Sequence, residues 1–135
     1  ASPSYLHLHG TPQTGAELIK HNCLLYGREG QYGWKLNTGS SLSTFAVQGN
    51  LSSNNGEVIR EAAKKGRGIA LLPLFIVEEA LQQGALIQIL PNYSPPPLTI
   101  SALYPQHRQH SAVTKNLLPF LAKRIAGIID PPEKE

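Results

Sequence analysis

Residues 50–73 read NLSSNNGEVIREAAKKGRGIALLP, and this one stretch spells a strand end, a helix cap, a short helix, a glycine exit and a buried strand. Ser53 or Asn54 can serve as N-cap, since a side-chain oxygen there accepts from the first unpaired N–H groups, and Glu57 lies where a capping box from Asn54 would need it. Val58, Ile59, Ala62 and Ala63 recur at one-turn spacing, while Glu57, Arg60, Glu61, Lys64 and Lys65 fall largely off that stripe. The pattern is that of a surface helix docked by one face on a sheet. Gly66 supplies the left-handed residue that ends it. The apolar run Gly68 to Leu72, closed by Pro73, fits a strand covered on both faces.

The order strand, helix, parallel strand aims the helix N-terminus at the carboxyl ends of the strands. Open α/β sheets bind ligands at that end, where free N–H groups and the helix dipole favour a polar or anionic group. Ser53, Asn54, Asn55 and Gly56, with Leu72 and Pro73 at the neighbouring strand end, are the candidate binding residues. Plain helix capping would use the same turn without a ligand, and the two roles are compatible.

Outward from this unit, Ser2-Pro3 opens a short helix by the cap-then-proline rule, Tyr5 and Leu6 give it an apolar side, and Gly10 closes it. Thr14 and Glu17 form a second capping box before a helix carrying Leu18 and Ile19, with His21 in its last turn. Cys23 to Tyr26 reads as a strand, and Gly27 to Gly33 as a polar loop. Trp34 and Leu36 alternate with polar residues, Gly39-Ser40-Ser41 turns the chain, and Phe45, Val47 and Leu51 are expected on one face of the returning strand, an antiparallel hairpin. Beyond Pro73 a helix carries Phe75, Ile76, Val77, Ala80 and Leu81 and leaves at Gly84, and Leu86 to Leu90 is expected to be the next strand. Four prolines between Pro91 and Pro97 make a stiff connector, a crossover between lobes. Leu98 to Tyr104 is β-rich. Ser111 starts a last helix with Val113, Leu117, Phe120, Leu121, Ile125 and Ile128 near one face, which Pro119 should bend or shorten, and residues 130–135 form a charged tail.

A chain of 135 residues, 41% hydrophobic, builds one modest core, and it has no apolar run long enough to cross a bilayer. No membrane partner is expected. The single cysteine, Cys23, excludes an internal disulfide, and with no basic-then-apolar leader the expected compartment is the cytoplasm. The net charge of +3 is scattered over Lys64, Lys65, Arg67, Lys123 and Arg124 rather than gathered into a stripe, which argues against a nucleic-acid grip by these residues.

Catalysis finds no carrier. His7 and His9, two apart on a helix, point to nearly opposite faces and lack companions at metal-ligand spacing. His107 and His110 sit in a polar turn, and Cys23 lies in an apolar strand that suits a packed thiol. Gly66-Arg67-Gly68 ends a helix where a dinucleotide fingerprint would start one, and there is no G-x-S-x-G elbow, Walker loop or acid pair. No catalytic residue, metal site or cofactor is therefore expected.

The opening ASPSYLHLHGTPQT, then HNCLLY, the stretch 50–73, and the closing LTISALYP with SAVTKNLLPFLAKRI together resemble the effector-binding domain of LysR-type transcriptional regulators, in order and over nearly the whole chain. The resemblance implies an α/β fold of the type 2 periplasmic-binding-protein kind, two lobes closing on a small inducer. It implies one complete lobe, a mixed sheet with flanking helices over residues 4–95, and at residues 96–129 a return to the other lobe, whose first half is absent. A winged helix-turn-helix, the sole DNA-binding element, would lie upstream, and the intact regulator would be a homo-oligomer that binds a small polar or anionic inducer at Ser53 to Gly56. The alternative is an extracytoplasmic solute receptor of a transporter, which shares the fold and would put the same helix terminus to the same use.

Overall fold

The strand β1 (Cys23–Tyr26) is the centre of a three-stranded parallel sheet, flanked by β4 (Ser52–Ser53) on one side and β5 (Ile69–Ala70) on the other. Leu25 and Tyr26 pair with Ser52 and Ser53, whereas Cys23 and Leu24 pair with Ile69 and Ala70. The helix α2 (Gly56–Lys64) therefore connects two parallel strands that are not neighbours, and it passes over β1 on the way. Two glycines let the flanking segments come this close. A Cβ at Gly49 would overlap the Cys23 carbonyl and one at Gly68 the Asn22 carbonyl, so neither position has room for a side chain.

The computed structural model describes residues 1–27, 33–39, 41–97, 101–106 and 111–129, and the chain divides into two compact units, Ala1–Pro97 and Leu98–Glu135. In the first unit β1 is covered on both faces, because adjacent strand residues point to opposite sides. Cys23, fully buried, joins Tyr5, Leu18, Trp34, Leu36 and Ile69 in one core. Leu24, also fully buried, joins Ile59, Ala63, Ala80 and Leu86 in the other. The first core is roofed by α1 (Pro3–His9), a six-residue 3-10 helix (Gly15–Lys20) and the antiparallel hairpin of β2 (Trp34–Asn37) and β3 (Leu42–Phe45). The second lies under α2 and α3 (Leu74–Gln82).

Local signals hold where expected in several places. Ser2 caps α1 by accepting the Tyr5 N–H at 3.2 Å, and Gly10 ends it. Gly66, at φ +70°, closes α2, whose Arg67 N–H returns to the Ala62 carbonyl. Other expectations are corrected. The buried stripe of α2 is Gly56, Ile59 and Ala63, and Val58 is 46% exposed. Thr14 does not start an α-helix with a capping box: Glu17 accepts the Gln13 N–H at 2.9 Å instead of that of Thr14, the turns are 3-10, Ile19 is exposed, and His21 stands just past the end. Phe45 and Val47 pack on the first core but Leu51 on the second, because the chain crosses from the hairpin to the parallel sheet between them. The apolar run 68–72 yields a strand of two residues only, with Leu71 and Leu72 leaving the ladder half-buried.

Leu86 to Leu90 forms no strand. Leu86 is buried, Ile87 exchanges backbone hydrogen bonds with Ala1, and Leu90 then turns to φ 52° before Pro91, which has no N–H to donate. In the second unit α4 (Ala112–Ile129) is capped by Ser111, whose Oγ accepts the Thr114 N–H at 3.1 Å, and it continues past Pro119 for its full 18 residues, so the expected shortening does not occur. Its Val113, Leu117, Phe120 and Leu121 are exposed. Residues 101–104 carry no strand, while 98–100, His107, His110, the loop 28–32 and the tail 130–135 lie outside the described residues.

The amino end of the parallel sheet is tied by one side chain. Asn22, just before β1, donates from Nδ2 to Asn50 Oδ1 (3.0 Å) and to the Arg67 carbonyl, and its Oδ1 accepts the Asn50 N–H (3.0 Å). Its own N–H donates to Tyr5 Oη at 3.0 Å. Segments leading into β4 and out of α2 are thereby held to β1 at one point.

Candidate functional site

At the opposite, carboxyl end of the same strands, β4 runs directly into the start of α2. Asn55 is the N-cap: its Oδ1 accepts the Glu57 N–H at 2.9 Å. Neither Ser53 nor Asn54 caps the helix, and Glu57 contributes its backbone rather than closing a box. Ser53 instead receives the Asn55 N–H on its Oγ at 3.0 Å and gives its carbonyl to the Gly27 N–H at 2.9 Å, which anchors the turn to the sheet. Of the four N–H groups at this terminus, those of Asn55 and Glu57 are thus used, and those of Gly56 and Val58 have no protein acceptor among the described residues. Such groups, at the positive end of a helix dipole, favour an anion.

Gly56 stands at a cavity of about 480 Å³ lined also by Asn54, Asn55, Glu57, Arg60, Phe75 and Ile76. Gly56 lets Ile76 pack close against this wall, since a Cβ there would stand 2.5 Å from Ile76 Cδ1 and push that side chain aside. Arg60, one turn into α2, is held by two bonds, Nε to Glu61 Oε1 at 3.1 Å and Nη1 to the Ile76 carbonyl at 3.3 Å. Its guanidinium thus spans α2 and the first turn of α3. Glu61 is shared with Lys64 at 3.1 Å, and Lys64 first, then Arg60, hold its carboxyl below the usual range. Phe75, 78% exposed, presents an apolar ring at the cavity edge.

Of the residues expected from sequence, Asn54, Asn55 and Gly56 are brought together in this lining. Ser53, Leu72 and Pro73 are not in it: Ser53 serves the turn, Leu72 packs against the second core, and Pro73 occupies the N-cap position of α3. Glu57, Arg60, Phe75 and Ile76 were not foreseen. Arg60 follows Gly56 by four residues, a spacing that puts both on one helix face. Phe75 and Ile76 arrive from a separate helix, and no local signal marks them.

Burial pushes the Cys23 thiol up to about 11, so it stays protonated and packs. Among the described residues no three His, Cys, Asp or Glu side chains come together as metal ligands. No described helix is long and apolar enough to cross a membrane.

A parallel sheet whose carboxyl edge meets the N-terminus of a docked helix is the architecture of small-molecule-binding α/β domains. The family is definite: residues 1–126 match the LysR substrate binding domain, and the chain belongs to that family. An HTH-type transcriptional regulator of Haemophilus influenzae is 41% identical over 109 residues, covering 80% of this chain and 38% of the relative. The HTH-type transcriptional activator TtdR of Escherichia coli is 36% identical over 124 residues, covering 90% of this chain and 40% of its own length. Among solved structures, the full-length Vibrio cholerae virulence activator AphB matches 71% of this chain and 33% of its own with TM-score 0.64 and 31% identity. The CrgA regulatory domain of Neisseria meningitidis matches 92% of this chain and 61% of its own, with TM-score 0.66 and 27% identity. These matches place the chain with LysR-type regulatory domains of periplasmic-binding-protein-like fold. The chain spans 38% and 40% of the length of the two sequence relatives.

Proposed function

We propose that this chain is the effector-sensing part of a LysR-type transcriptional regulator, and that the cavity at the start of α2 takes a small polar or anionic effector, a carboxylate above all. One observation carries the reading: Gly56 with its unpaired N–H, Asn54 and Arg60 line one cavity at the carboxyl end of the parallel strands. An anion there is met by the helix dipole and by charge-assisted hydrogen bonds, and Phe75 gives an apolar flank to its carbon skeleton.

In the intact regulator residues 4–95 form the second lobe and residues 96–129 return to the first, which supplies the cover for the exposed face of α4. DNA is read by a winged helix-turn-helix outside these residues, the regulator works as a homo-oligomer, and it acts in the cytoplasm. The test is a thermal-shift screen of the intact regulator against small mono- and dicarboxylates and their neutral amides. Ligand bound only by the native state raises the melting temperature, so a carboxylate should raise it and its amide should not. Amides that stabilise as well as their acids would overturn the anionic reading.

A further inference from the structure

At the tied end of the sheet, independent of the effector cavity, lies a cluster of titratable rings. Tyr5, 3% exposed, reaches from α1 to place its Oη 3.3 Å from Nδ1 of His21, which is 9% exposed. The same Oη accepts the Asn22 N–H at 3.0 Å. The His9 ring lies over the Tyr5 ring at 4.5 Å between centroids, and His21 lies 5.9 Å from it. With His21 neutral and Nδ1 unprotonated, the chain Asn22 N–H to Tyr5 O–H to His21 Nδ1 satisfies every member.

We propose that this cluster is an acid-released clasp, in which protonation of His21 reverses the polarity of its hydrogen bond to Tyr5 and frees α1 and Asn22 from the amino end of the parallel sheet. A protonated Nδ1 must donate to Tyr5 Oη, which already accepts from Asn22, and the Tyr5 hydroxyl proton is then left without an acceptor in a buried place. The release travels through Asn22, whose side chain also holds Asn50 and the carbonyl of Arg67 after α2.

The surroundings set the sign. Around His21 stand Tyr5 and His9 of α1, Glu17 and Lys20 of the 3-10 helix, and Cys23 of β1, which remains a neutral thiol. Burial above all, then the His9 charge, pushes His21 below its ordinary value of 6.5, and Glu17 opposes this only in part. A base held below its unfolded value takes up its proton more readily once the fold opens. The clasp is therefore intact at neutral pH and loses stability as pH falls from about 6.5 toward the folded value.

The test is an NMR titration of the full chain from pH 7.5 to 5. The Asn22 amide should shift with the same midpoint as the His21 ring, and its exchange protection, corrected for intrinsic pH dependence, should be lost progressively as His21 takes up its proton. In His21→Asn, which keeps an acceptor near the place of Nδ1 but cannot take the proton, both responses should vanish. In His9→Gln they should persist. A His21 ring that titrates while the Asn22 amide stays unmoved would overturn the clasp, and this wild-type measurement decides even if the His21 variant does not fold. Loss of the response in His9→Gln would equally remove His21 as the trigger.

Discussion

The two ends of the parallel sheet are built from the same three strands yet treat their polar groups in opposite ways. At the amino end Asn22 uses both side-chain atoms and its N–H in four hydrogen bonds, and glycines at 49 and 68 let backbone close against backbone. At the carboxyl end the unpaired Gly56 N–H and the tethered Arg60 stand at an open cavity. An end whose groups are satisfied internally has nothing left to offer a ligand, and an end with groups left over does. The difference separates stability from binding along one sheet about four residues long.

Substitutions should break this contrast in a definite order. Gly49→Ala puts a methyl into the Cys23 carbonyl and forces the backbone apart, so the chain should lose about 3 kcal/mol of stability, measured by urea unfolding, the upper range for an overfilled core. Asn22→Ala removes the tie at the amino end. It should cost about 2–3 kcal/mol, as a few partly exposed hydrogen bonds lost together do, while any carboxylate that binds the intact regulator keeps its affinity. At the other end Asn55→Ala removes the true cap of α2 and should cost about 1 kcal/mol in the same unfolding assay, with Asn55→Gly costing only a few tenths.

The sequence discloses these ends unequally. The Ser2 and Ser111 caps, the Gly66 exit and the strand 23–26 are legible because each depends on residues within one turn or one strand. That β1 lies between β4 and β5 is a pairing between segments some 27 and 46 residues apart, which no periodicity encodes. The run 68–72 overstates its strand because apolar content reports burial, and Leu72 is half-buried in a core without joining the ladder. In the site, the turn 54–56 could be located from its helix start, but the choice of Asn55 over Asn54 as cap turns on which side chain reaches the Glu57 N–H, a matter of backbone angles one residue apart. The α3 wall was out of reach for a different reason: Phe75 and Ile76 meet Gly56 only after α3 folds back onto α2.

Asn54 gives the sharpest separation of the two roles, because it lines the cavity and makes no capping bond. The decisive measurement is calorimetric titration of the intact regulator and its Asn54→Ala variant with the carboxylate that gives the largest thermal shift, alongside urea unfolding of both. The variant should unfold within about 0.5 kcal/mol of the wild type, as surface changes do, and bind the carboxylate more weakly by about 1–2 kcal/mol, the range for one hydrogen bond to a charged group. Unchanged affinity in a variant of unchanged stability would contradict the account and leave the α2 terminus as plain helix capping.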